Sequence, residues 1–73
     1  MTEKLKDYYA LLGIDALATR HEIHAAYRKM LRVYHPDLNK ELFAIKIYME
    51  ILEAYGILSD PQRRRAYDTL RKA

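Results

Sequence analysis

A chain of 73 residues with 13 Lys plus Arg against 10 Asp plus Glu forms one small, mildly basic domain with one modest core. It has no cysteine, which excludes a disulfide framework, a thiolate metal site and a cysteine nucleophile, and which suits a reducing compartment. No apolar run approaches the ~20 residues that span a bilayer, and MTEKLKDYY is not a signal peptide, so a cytoplasmic protein with no membrane partner is expected.

In chain order, Asp7 N-caps a short first helix, DYYALLG, and Gly13 closes it as the residue just past its end. IDALAT is a connector. The run TRHE, Thr19 to Glu22, fits a capping box and opens the second helix. Its apolar residues Ile23, Ala26, Tyr27, Met30 and Tyr34 recur at helical spacing, while His24, Arg28 and Arg32 take the opposite side, with Lys29 near its margin. Pro36 stops this helix at Tyr34 or His35, because proline lacks an N–H and restrains the residue before it.

A third helix starts near Lys40 or Glu41 and runs to about Leu58. Ala44, Ile47, Tyr48, Ile51, Ala54, Tyr55 and Leu58 fall within one arc of roughly 120°, which is its core face. SDPQ then supplies Asp60 as N-cap and Pro61 as the first residue of a last helix, PQRRRAYDTLRK. No stretch alternates as a strand would, so the expected fold is all-α. Its simplest arrangement is an antiparallel hairpin of the second and third helices, with the first and last covering the seam. His35, Pro36 and Asp37 then stand at an exposed tip, where function often sits.

Intrinsic catalysis has little to build on. Ser59 is the only serine and is better used at the start of the last helix, and nothing suggests a pocket around a His35–Asp37 acid–base pair. His21 and His24 share a helix face, yet no HExxH or cysteine pattern completes a metal site, so no metal and no cofactor are expected. Arg63, Arg64 and Arg65, with Arg71 and Lys72, make a basic end able to touch phosphates, but Glu50, Glu53, Asp60 and Asp68 dilute it. That run reads first as a solvated helix face and second as a nucleic-acid contact. Arg28, Lys29 and Arg32, beside Asp37 and Asn39, suit a partner of mostly acidic surface.

Three segments, DYYALLGI, EIHAAYRKMLRVYHPDLN and EILEAYGILSDPQRRRAYD, together resemble the J-domain of DnaJ-type co-chaperones. The resemblance runs from about Leu5 to Leu70 in the family's order and spacing. The tripeptide HPD is weak alone but specific between YRK and EAYGILSDPQRRRAYD. The resemblance implies a four-helix domain, the N-terminal part of a longer co-chaperone, whose helical hairpin docks on a DnaK-type heat-shock chaperone. Docking stimulates the partner's ATP hydrolysis and so supports protein folding, with the domain itself an activator and not an enzyme. By position, His35, Pro36 and Asp37 are the signature needed for stimulation, and Tyr27, Arg28, Lys29, Arg32 and Asn39 match contact positions.

The chain departs from that family in two ways. His24, Ala25 and Val33 stand where lysine or arginine is usual, which implies weaker or more selective docking. Leu42, Ile45, Met49 and Leu52 form a second apolar stripe on the third helix, roughly 100–180° from Ile51, where charged residues are usual. Either the first or last helix covers part of that stripe, or the start of the third helix is irregular, or the stripe is a second interface for another protein, for a downstream segment of the same protein or for self-association. A nucleic-acid-binding helical module and a J-like scaffold using the stripe are the alternative readings.

Overall fold

The computed structural model describes residues 5–72, and they contain four helices and no strand: α1 (Tyr8–Leu12), α2 (Arg20–Tyr34), α3 (Leu42–Leu58) and α4 (Pro61–Lys72). Each helix begins and ends where the local chemistry dictates. The Asp7 carboxylate accepts the Ala10 N–H, and Gly13 ends α1 in the left-handed region at φ 72°, a conformation only glycine adopts without cost. Thr19 and Glu22 close a reciprocal capping box, the Thr19 hydroxyl accepting the Glu22 N–H and the Glu22 carboxylate accepting the Thr19 N–H. Asp60 accepts the Gln62 N–H at 2.9 Å, directly before Pro61.

α2 and α3 run antiparallel. His24 and Tyr27, early in α2, meet Tyr55 late in α3, whereas His35 past the end of α2 meets Tyr48. The Tyr27 and Tyr55 rings stack at 3.8 Å with an interplanar angle of 8°. His24 is exposed, as expected of a polar residue on that face, and its Nδ1 lies within hydrogen-bond distance of the Tyr55 hydroxyl, at 2.9 Å. Together these contacts set the register of the hairpin.

The core is small. Tyr9, Leu12, Ile23, Ile51, Ala54, Leu58 and Tyr67 are buried, with Ala18 from the connector, and the expected inner arc of α3 supplies three of them. Ile51 is fully buried, and each such aliphatic side chain contributes about 1.5–3 kcal/mol by leaving water.

One part of the expected arrangement is overturned. α1 lies against both α2 and α3, but α4 packs on α3 without reaching α2, so it covers no part of the hairpin seam. Hydrogen bonds explain where it goes. The Tyr67 hydroxyl accepts the Tyr8 N–H at 3.0 Å and donates to the Lys6 carbonyl, and its ring packs 4.8 Å from that of Tyr8. The Tyr9 hydroxyl donates to Asp68 at 2.6 Å. These partners all lie in or beside α1, and they draw α4 to that end of the molecule.

The outer edge between α1 and α3 carries a titratable link. The Tyr8 hydroxyl donates to Glu53, which also takes Lys6 at 3.2 Å. The bond to the Glu53 carboxylate, followed by burial, pushes the Tyr8 phenol up to about 12 from an ordinary value of 10.0. The folded chain therefore keeps a proton that the unfolded chain loses as pH rises from 10.0 to about 12, so stability falls with pH across that window. Urea titrations at stepped pH should show this alkaline decline, and Tyr8→Phe should make it shallower. An equally steep decline in Tyr8→Phe would remove Tyr8 as its source.

Candidate functional site

The turn between α2 and α3 is built around one proline. Pro36 follows His35, whose backbone is extended at φ −61° and ψ 131°, as the residue before a proline prefers. The His35 carbonyl accepts two N–H groups, from Leu38 and Asn39, each at 2.9 Å, so the chain folds tightly back on itself. The Asn39 side-chain oxygen accepts the Glu41 N–H at 3.2 Å just ahead of α3. Glu41 itself makes no side-chain cap, which leaves Asn39 to organise this entry.

Within the turn His35 and Asp37 have different surroundings. The His35 ring lies edge-on to Tyr48 with centroids 5.7 Å apart, and its Nδ1 accepts the Asp37 N–H at 3.1 Å. The Asp37 carboxylate stands 3.7 Å from that nitrogen, yet its side chain is 89% exposed. So His35 is anchored against α3 while Asp37 projects into solvent. Leu38, at 77% exposure, adds an apolar neighbour at the same tip.

The other sequence-picked residues are spread along α2 and into the turn, in different states. Arg28, Lys29 and Arg32 are exposed on α2, and among the described residues none forms an ion pair. Tyr27 is half-buried in its stack with Tyr55, so it serves the hairpin as well as the surface. Asn39 is half-buried through its turn bond. Tyr48 was read only as a core residue, but its contact with His35 makes it the prop of the tip. Its place in the loop-facing half of the inner arc was the signal for that.

Arg63 and Arg65 are exposed, as a solvated helix face requires, but Arg64 between them turns inward. Arg64 Nε donates to the Tyr9 hydroxyl at 3.0 Å, and its Nη2 donates to the carbonyls of Ala16 at 3.1 Å and Ala18 at 2.7 Å. Arg63 pairs with Asp60, and Arg71 lies 5.0 Å from the Tyr9 ring centroid and 3.9 Å from Asp7. Arg64 and Arg71 thus help to hold α4 against α1 and the connector.

The second stripe of α3 is uncovered. Leu42 is 83% exposed and Met49 65%, Leu52 is also exposed and Ile45 half-buried; neither α1 nor α4 lies over them. Phe43, 58% exposed, was missed in the periodicity because it falls just outside the inner arc, on the side away from the stripe.

A family model for the DnaJ domain matches residues 7–68, which takes in all of α1 to α3, the turn and most of α4. The chain belongs to the DnaJ-domain family. This J-domain is 55% identical over 64 residues to Chaperone protein DnaJ 2 of Thermus thermophilus, covering 88% of this chain and 23% of that protein. It is 56% identical over 63 residues to Chaperone protein DnaJ of Dictyoglomus thermophilum, covering 86% of this chain and 16% of the relative. To Chaperone protein DnaJ 1 of Aquifex aeolicus it is 47% identical over 70 residues, 96% of this chain and 19% of the other. The J-domain thus spans about a quarter or less of each of these three relatives. Among the described residues no helix is long and apolar enough to cross a membrane.

Proposed function

We propose that this J-domain docks on a DnaK-type heat-shock chaperone in the cytoplasm and stimulates its ATP hydrolysis, while performing no chemistry itself. The observation that carries this reading is the tip of the α2–α3 hairpin, where Asp37 projects a free carboxylate from a turn clamped by His35 and Pro36. Arg28, Lys29 and Arg32 supply cations on the adjoining helix face. The cationic face steers and orients an acidic surface, and Asp37 offers a charge-assisted bond to an arginine of the chaperone. Such a partner raises ATPase turnover by binding the hydrolysis-competent state more tightly than its alternative.

The test is single-turnover ATP hydrolysis by a bacterial DnaK with and without this chain, beside a duplex-DNA binding control. Stimulation without DNA binding is expected; DNA binding without stimulation would instead favour a nucleic-acid module. Binding to the chaperone should also weaken markedly between low and high salt, because exposed charges are screened within ~10 Å at 0.1 M. Arg28→Ala with Arg32→Ala should flatten that dependence. An affinity that does not change with salt would count against the cationic face.

A further inference from the structure

α3 is apolar almost all round, a pattern that ordinarily belongs to a helix enclosed on every side. Here the inner face is enclosed and the outer face is not. Along the outer face Leu42, Ile45, Met49, Leu52 and Gly56 follow one another at intervals of three, four, three and four residues, the seam spacing of paired helices. Lys46 and Glu53 both flank that seam, in equivalent positions one heptad apart. Gly56 lies inside the helix, where glycine costs roughly 0.5–1 kcal/mol relative to alanine. Nothing among the described residues requires it: a Cβ added there would meet none of their atoms within 4 Å.

We propose that α3 pairs antiparallel with α3 of a second copy of this chain. A two-fold axis near residue 50 sets Met49 beside Leu52 of the second copy and Ile45 over its Gly56, whose missing side chain admits the close approach. The same axis places Lys46 beside Glu53 of the second copy, and by symmetry the pair forms twice. Lys46 is exposed and makes no ion pair among the described residues. Glu53 receives Tyr8 and Lys6 yet stays 45% exposed. A parallel pairing is less suited, since it would set Gly56 against Gly56 and Glu53 against Tyr48. The pairing uses the side of α3 turned away from α2, so it leaves Asp37 and the α2 cations free.

Sedimentation equilibrium from about 1 µM to 1 mM reads the result. A concentration-dependent dimer is expected. Lys46→Glu alone, or Glu53→Lys alone, should weaken it by about tenfold or more through like charges set face to face. Mixing the two variants should restore dimerisation, because each then supplies the sign the other lacks. Met49→Lys, at an exposed position outside the Lys6–Tyr8–Glu53 network, should abolish the dimer and leave the far-UV circular dichroism unchanged. A monomer at every concentration would overturn the proposal, as would a mixture no tighter than either variant alone, or a dimer indifferent to Met49→Lys.

Discussion

Asp37→Asn is expected to leave the domain folded and to abolish its stimulation of a DnaK-type ATPase. The fold is spared because Asp37 contributes its backbone, not its carboxylate, to the turn: its N–H is held by His35 Nδ1, and its side chain is 89% exposed. Asparagine has nearly the same shape and keeps that N–H. What it lacks is the charge, and one of the two acceptor oxygens that a carboxylate presents to a guanidinium. Hydrogen bonds to charged groups contribute about 1.5–3 kcal/mol, equivalent to roughly ten- to a hundred-fold in an equilibrium. The functional loss exceeds the loss in affinity if the bond forms only in the hydrolysis-competent state. Thermal melts within about 2 °C of each other should accompany the loss of stimulation, the margin being well under the 4–8 °C that 1 kcal/mol moves a domain of this size. Equal single-turnover stimulation by Asp37→Asn and the parent chain would sink the assignment.

Arg64→Ala should destabilise the domain by about 2–4 kcal/mol, through several charge-assisted bonds lost at once and their acceptors left behind. Arg64 is mostly buried, with 19% of its side chain exposed, and it joins three parts of the chain. Its guanidinium reaches the Tyr9 hydroxyl on α1, the Ala16 and Ala18 carbonyls of the connector, and Asp68 on its own helix at 3.9 Å. A domain of this size has a net stability of only about 3–5 kcal/mol, so the loss is most of what is available. Lysine keeps the charge but has no planar fork, so Arg64→Lys should recover less than half. A double-mutant cycle with Tyr9→Phe tests the link directly and should show coupling above ~0.5 kcal/mol. Urea unfolding midpoints provide the measurement; a loss below ~0.5 kcal/mol for Arg64→Ala would mean that the contacts are incidental.

Helix boundaries and the shape of the turn could be read from the residues alone because their causes act within a few positions. Asp7, Thr19 with Glu22, and Asp60 with Pro61 each satisfy N–H groups at the start of their own helix. Pro36 sets the backbone of His35 without help from the rest of the chain. The exposed setting of Asp37 followed from its place at a hairpin tip, as did the cationic face of α2 from helical spacing.

The arginine run was different. Arg63, Arg64 and Arg65 are chemically alike, and only the position of α4 against α1 and the connector turns Arg64 inward. His24 and Tyr48 likewise acquired their roles from Tyr55 and His35, which are distant or across a turn in the chain. Periodicity placed Leu42, Ile45, Met49 and Leu52 on one face, but it could not say whether another helix lies over them. That depended on the direction of α4, which the Tyr67 and Arg64 hydrogen bonds draw toward α1 and away from the outer face of α3. Local chemistry therefore determined the helices and the turn, while long-range hydrogen bonds decided which surfaces the finished molecule leaves exposed.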